Sequence, residues 1–400
     1  MYQPFKAVKI SEHVYWVGAI DWAIEEFHGY KTSRGTTYNA FLIMADKITL
    51  IDTVKKEFKD ELLSRIASVV GPEKIDYIIS NHAEMDHSGC LPEIIEAVKP
   101  EKVFASTAGV DALSRHFVFK EDITPVANGE SLSLGNVSLT FFDAKMLHWP
   151  ESMFTWMPED GILFSQDAFG MHLATSKLFD DEISLDILKW ESAKYYANIL
   201  LPFSPIVSKQ MKKMCELNLP VKMIATDHGP LWRKNIETIF NLYTEWSAMK
   251  PAQKALIIYD TMWHSTEKMS EAIVDGLMEE NIPTKVMPLS TKHRSDIATE
   301  ILDAGALIVG SPTINTNIFP TVADVLSYLK GLKRRNLIGA AFGSYGWSGD
   351  AVKQVNQILE DMKVKLIHPG INVKYVPKEP ELEQCADLGR QIGKALKEQS

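Results

Sequence analysis

The chain opens on short apolar runs separated by polar turns. Val14–Tyr15–Trp16–Val17, Asn39–Ala40–Phe41–Leu42–Ile43–Met44 and Ile48–Thr49–Leu50–Ile51 read as strands of a meander over residues 13–53. The period then changes. Residues 57–70 carry the spacing of an amphipathic helix that stops at Gly71–Pro72. Ile75–Asp76–Tyr77–Ile78–Ile79 is the next strand, followed by a helix at 91–98 and strands at 102–106, 137–143 and 161–166. Helical spacing returns at 186–199 and 206–217, and 221–225 is a buried strand. This order suits an αβ/βα sandwich.

The rhythm changes after residues 248–253. Lys254–Ala255–Leu256–Ile257–Ile258–Tyr259 is an apolar strand, a helix runs to about residue 280, and strands recur near 284–289, 306–311 and 337–342 before a last helix at 381–397. Apolar strands alternating with helices predict a doubly wound parallel sheet. Residues 1–250 and 254–400 are therefore expected as two domains of an α/β protein.

Candidate chemistry gathers where the apolar strands stop. Ser80–Asn81–His82–Ala83–Glu84–Met85–Asp86–His87–Ser88–Gly89 follows Ile79, and four potential metal ligands fall at 82–87. In an extended segment His82, Glu84 and Asp86 share a face. His87 joins them only if the chain turns, and Ser88–Gly89 provides a turn. A loop of solvated charges is the plainer alternative; paired imidazoles and carboxylates directly after a strand argue against it. His148, Asp167 and His228 stand at three later strand ends.

Formal charge is −10, from 42 basic and 52 acidic residues, which argues against a nucleic-acid or anionic-membrane partner. No apolar run approaches the roughly 18 residues of a membrane span, and the N-terminus lacks the apolar core of a signal peptide. Cys90, Cys215 and Cys385 lie far apart without a Cys-x-x-Cys pair, so they read as reduced thiols of a cytoplasmic protein.

The His82 stretch resembles the metallo-β-lactamase motif His-x-His-x-Asp-His, with Glu84 in place of the second His. Carboxylate in place of imidazole favours iron over zinc. That exchange, the later ligand order, and the phrases Gly35–Thr36–Thr37–Tyr38–Asn39–Ala40, Leu147–His148–Trp149–Pro150–Glu151–Ser152–Met153 and Asp167–Ala168–Phe169–Gly170 resemble the flavodiiron proteins along essentially the whole chain. The resemblance implies a metallo-β-lactamase-like domain followed by a flavodoxin-like domain. It implies one iron on His82, Glu84 and His148, a second on Asp86, His87 and His228, and Asp167 between them. It also implies that His28, His172 and Tyr196 line the pocket and supply protons or hydrogen bonds.

The resemblance further implies FMN in the second domain. Thr261–Met262–Trp263–His264–Ser265–Thr266 links its first strand to its first helix, and the hydroxyls with the helix N-terminal amides form an anion site for the phosphate. His264 stands where flavodoxins carry glycine. Pro312–Thr313–Ile314–Asn315–Thr316–Asn317 and Ser344–Tyr345–Gly346–Trp347, with Gly349, are expected around the isoalloxazine. The implied protein passes electrons from a donor such as rubredoxin or a reduced deazaflavin, through FMN, to irons that reduce dioxygen, nitric oxide or both. A head-to-tail homodimer, or a dimer of dimers, is implied as well. A binuclear zinc hydrolase fused to a flavodoxin, and a non-catalytic electron carrier or gas sensor, are the competing readings.

Overall fold

The computed structural model describes residues 5–120 and 122–399. It separates into two compact units. One holds the chain up to Tyr195 together with Pro205–Thr244; the other holds Tyr196–Ser204 and Glu245–Ser400.

Two sheets build the first unit. The larger has the order Val8–Lys9, Val14–Trp16, Phe41–Ile43, Thr49–Ile51, Tyr77–Ser80, Lys102–Ser106, Thr124–Val126, antiparallel at its start and parallel from Thr49–Ile51 onward. The smaller runs Ser131–Ser133, Ser138–Asp143, Met153–Met157, Ile162–Gln166, Met223–Thr226, and only its last pairing is parallel. Strand side chains alternate between faces, and here both faces are buried. Phe41, Ile43, Ile51, Ile79 and Phe104 enter a core shared with Phe141, Met153, Ile162 and Phe164 of the second sheet. Their neighbours Leu42, Leu50, Ile78 and Val103 face the opposite way, onto helical residues Leu62, Ile66, Leu91, Ile94 and Val98. Each such side chain contributes roughly 1.5–3 kcal/mol by leaving water. The sheets are thereby fixed, and so are the ends of their strands.

Several elements depart from the sequence expectation. The helix expected over 57–70 begins as a tight turn, Lys56–Phe58, and is α-helical only over Lys59–Ala67. The helix expected over 186–199 is α-helical over Leu185–Tyr195 and then widens into a π-turn, Tyr196–Leu200. Within the second unit, Asn198 of that turn donates to Ser295 O at 3.1 Å and accepts from Tyr328 Oη at 2.7 Å. Met153–Met157 escaped the sequence reading because all its residues are buried, leaving no alternation to see. Thr107–His116 escaped because it buries only Gly109 and Leu113.

In the second unit the strand order is Thr284–Pro288, Ala255–Tyr259, Ala306–Gly310, Ile338–Tyr345, with Lys365–Leu366 and Ile371–Lys374 both on the last, and every pairing is parallel. This is the flavodoxin-like order, in which ligands sit beyond the strands' carboxyl ends. Helices Ser265–Glu279 and Glu379–Glu398 cross closely through glycines. A Cβ on Gly276 would meet Ala386 O at 1.9 Å, and one on Gly389 would meet Ile273 O at 2.2 Å. Among the described residues, no helix is long and apolar enough to cross a membrane.

Candidate functional site

The strands of the first unit deliver seven ligand-type side chains to one place. His82 and Glu84 follow Tyr77–Ser80, His148 follows Ser138–Asp143, Asp167 follows Ile162–Gln166, and His228 follows Met223–Thr226. The stretch after Ser80 is not extended throughout. The chain turns at Met85–Ser88 into a single helical turn, with Glu84 as its N-cap. Asp86 therefore leaves the face of His82 and Glu84 and pairs with His87, a correction to the expected shared face.

Two clusters result, His82, Glu84, His148 and Asp167 in one and Asp86, His87 and His228 in the other. His148 Nε2 lies 2.9 Å from Glu84 Oε2 and 3.0 Å from Asp167 Oδ2, and His82 Nε2 lies 3.3 Å from each of those oxygens. Asp167 Oδ1 faces the other way, 3.2 Å from His87 Nε2 and 3.4 Å from His228 Nε2. Asp86 Oδ2 closes that side at 3.3 Å from His87 Nε2 and 3.1 Å from His228 Nε2. Metal–ligand bonds of about 2.0–2.2 Å imply ligand–ligand edges of roughly 3.0–3.5 Å, so both clusters have the dimensions of a coordination shell. Asp86 Oδ1 and Asp167 Oδ1 are buried without a hydrogen bond, which a cation would relieve. The donors are imidazoles and carboxylates with no thiolate, a set that fits iron.

A further ring of residues, not anticipated from sequence, fixes the imidazoles. Glu151 Oε1 accepts from His82 Nδ1 at 2.8 Å and from Ala83 N at 3.0 Å. His228 Nδ1 donates to Thr37 O at 2.6 Å, and Asp227 Oδ2 stands 3.4 Å from His87 Nδ1. Each aims Nε2 inward. Glu151 stands within the quoted His148 phrase and Asp227 directly precedes His228, but nothing in their spacing marks which ring each one meets.

The electrostatics are strongly coupled. Burial alone would push the Glu84 carboxyl up, but bonds from His148 and His82 bring it down to about 2. Burial would lower His148, yet Asp167 and Glu84 raise it to about 9. Burial also opposes charge on His82 and His87, and the surrounding carboxylates outweigh it, lifting both well above the ordinary imidazole value. His172 goes the other way: burial first, then the charge of His228, holds it neutral.

The three expected pocket residues separate. His172 is buried, with Nδ1 2.8 Å from Thr36 Oγ1, no hydrogen-bond partner for Nε2 among the described residues, and its ring 4.7 Å from that of His228. His28 is 75% exposed, at a left-handed backbone position, with Nε2 3.7 Å from Glu84 Oε1. Tyr196 is not at this site. Its Oη bonds Ser204 Oγ at 2.9 Å within the second unit, and the residue before it, Tyr195, is the one whose ring lies 5.1 Å from His172 and 6.0 Å from His228. The helix that ends at Tyr195 aims that side chain at the site, and the turn beginning at Tyr196 aims the next one away.

In the second unit three loops meet beyond the carboxyl ends of Ala255–Tyr259, Ala306–Gly310 and Ile338–Tyr345. Thr266 Oγ1 and Ser344 Oγ are 3.1 Å apart, and Thr313 N donates to Ser344 O at 2.9 Å. Ile314 and Asn317 exchange backbone hydrogen bonds of 3.0 and 2.8 Å around Asn315 and Thr316, both left-handed. Thr313, Asn315, Thr316, Gly346, Trp347 and Ser348 line a cleft between two of the loops. Trp263 and Trp347 are 86% and 88% exposed, Met262 is exposed as well, and Thr261 Oγ1 is buried without a hydrogen-bond partner among the described residues. Exposed flat rings and an unsatisfied hydroxyl in the loop that leads into a helix fit a phosphorylated planar ligand. Pro312, Tyr345, Gly349, His264 and Ser265 belong to the same loops.

Both units resemble known proteins. Residues 36–229 match the ODP family beta lactamase profile and residues 257–389 match flavodoxin. The chain is 46% identical over 389 residues to the nitric oxide reductase of Moorella thermoacetica, covering 96% of this chain and 98% of that one. Among solved structures, the rubredoxin oxygen:oxidoreductase of Desulfovibrio gigas superposes with a TM-score of 0.96 at 43% identity, over 98% of this chain and 99% of that one. The flavodiiron protein of Giardia intestinalis gives 0.95 at 32% identity, over 100% of this chain and 98% of its own. By sequence along nearly its full length, and by the fold of both units, this chain belongs to the flavodiiron protein family.

Proposed function

We propose that the chain is an oxidoreductase that uses FMN and a non-haem pair of irons to reduce a diatomic gas, dioxygen to water or nitric oxide to nitrous oxide. One observation carries the reading: the two oxygens of Asp167 face separate ligand groups, Oδ2 toward His82 and His148, Oδ1 toward His87 and His228. A carboxylate so divided can span two metal ions, with His82, Glu84 and His148 on one side and Asp86, His87 and His228 on the other. When bound, the irons and the flavin supply electrons. The chain's own residues hold the ions, order the approach and manage protons. Glu151, Thr37 and Asp227 orient the rings. His172, neutral and with Nε2 unpaired, is able to present a hydrogen bond into the site, and Tyr195 packs against it. His28, over Glu84, stands at the solvent side.

FMN is read onto the loops 261–266, 312–317 and 344–349, which the flavodoxin match supports, with rubredoxin or a reduced deazaflavin as donor; a relative named for rubredoxin supports the first of these donors. Three unpaired cysteines suit the cytoplasm. A two-fold head-to-tail dimer, in which the flavin of one chain serves the irons of the other, is part of the same reading. Co-expressed His148→Ala and Thr266→Glu chains, purified as a heterodimer, should regain activity that neither homodimer has; an inactive heterodimer loaded with both cofactors would rule the shared arrangement out. The metal reading is tested by elemental analysis of active protein. About two irons per chain are expected, and stoichiometric zinc without iron would contradict it.

A further inference from the structure

One buried amide spans the turn that carries His228. That turn follows Met223–Thr226, and Gly229 completes it at φ +76°. Asn39 is fully buried, and its Nδ2 donates to Thr226 O at 2.7 Å and to Gly229 O at 2.9 Å, on either side of His228. Its Oδ1 accepts from Trp16 Nε1 at 2.8 Å, and its backbone N donates to Asp227 O at 2.7 Å. An indole N–H only donates and a carbonyl only accepts, so the network admits one orientation of the amide and satisfies its oxygen and both its protons. Trp16 is itself fixed. It packs in the core with Phe41 and Ile43, and the Arg65 guanidinium lies over its ring at 4.5 Å.

These contacts serve one side of the site. Among the described residues, the hydrogen bonds of Asn39 reach Trp16, Thr226, Asp227 and Gly229, and none reaches the segments that carry His82, Glu84 or His148. The His82 segment has its own support. Asn81 donates to Asp52 from N at 2.6 Å and from Nδ2 at 2.8 Å, and Thr155 Oγ1 donates to Asn81 Oδ1 at 2.7 Å. The two ligand groups therefore rest on separate hydrogen-bonded frames. Without the Asn39 amide, Thr226 O and Gly229 O lose a buried donor, and nothing in the side-chain frame of His82 replaces it.

We infer that Asn39 is a positioning residue for one metal position of the two, the one formed by Asp86, His87 and His228: by bridging the carbonyls on either side of His228, it fixes where that imidazole stands. The inference rests on the reading of the two ligand groups as a metal pair. It concerns metal retention only and involves no redox step. The position formed by His82, Glu84 and His148 gains nothing from the amide.

The test titrates full-length, iron-depleted protein with ferrous ion by anaerobic calorimetry. Two backgrounds isolate the positions: His228→Ala leaves the one built on His82, and His148→Ala leaves the one built on His228. Asn39→Ala should weaken ferrous binding about 10- to 100-fold in the His148→Ala background and leave it within about twofold in the His228→Ala background. Trp16→Phe keeps a ring in the core and removes only the donor that orients the amide, so it should show the same one-sided pattern at about fivefold. Equal weakening in both backgrounds would overturn the inference, because it would mark general loosening of the fold, and so would no weakening in the His148→Ala background. If Asn39→Ala fails to fold, Trp16→Phe decides by the same criteria. Wild-type protein that takes up fewer than two ferrous ions per chain would instead refute the metal-pair reading itself.

Discussion

Glu151 Oε1 sits 2.8 Å from His82 Nδ1, on the side of the ring opposite the Nε2 that faces Glu84 and Asp167. The carboxylate fixes the tautomer and raises the basicity of the ligating nitrogen, and the same oxygen also holds Ala83 N. Glu151→Ala is expected to lower iron affinity by about 10- to 100-fold. Chelator competition on purified protein measures this. Glu151→Gln, able to accept from the ring but neutral, should fall between. Unchanged affinity in both would mean that the contact does not act through His82.

Metal loading should release protons. In the metal-free pocket the carboxylates hold His82, His87 and His148 above the ordinary imidazole value, His148 at about 9. Raised folded-state values mean that these contacts stabilise the metal-free fold below the unfolded imidazole pKa, and that this stability is lost as pH rises through the folded value. Iron must displace those protons, so its apparent affinity should rise as pH climbs toward about 9 while metal-free stability falls. A pH-indicator titration with ferrous ion at neutral pH should show proton release; proton-neutral binding would contradict the picture.

The cysteines should react unequally. Cys215 is exposed, and Cys90 and Cys385 are buried. Burial raises both buried thiols, Cys385 to about 12. A thiol raised by folding contributes stability below its unfolded pKa and loses it as pH rises. A thiol reagent near pH 8 should label Cys215 at once and reach the other two only on unfolding. Rapid native labelling of Cys385 would show that the helix carrying it opens.

How much of this was legible in the sequence depended on how local each signal is. The ligand-type residues at 82–87, 148, 167 and 228 each follow an apolar strand, and strand ends of the two sheets on one edge of the sandwich meet in space. Both domains were legible for the same reason, as runs of buried strands. Thr36, Thr37, Glu151 and Asp227 were not, because their roles depend on which loop touches the far side of which ring. Tyr196 and Tyr195 differ by one helical position, and periodicity cannot tell which faces the site when the helix widens at that residue. Asp86 changed faces because a single helical turn at Met85–Ser88 broke the strand alternation.

The central claim is that a flavin and an iron pair in this protein reduce a diatomic gas. Its most direct test is anaerobic stopped-flow of fully reduced, iron- and FMN-loaded protein mixed separately with dioxygen and with nitric oxide, following flavin absorbance and analysing the product gas. Rapid flavin reoxidation with water or nitrous oxide formed, lost in His148→Ala protein that still carries FMN, is the predicted result. Loaded protein whose flavin reoxidises with neither gas faster than in the iron-free protein would contradict the account.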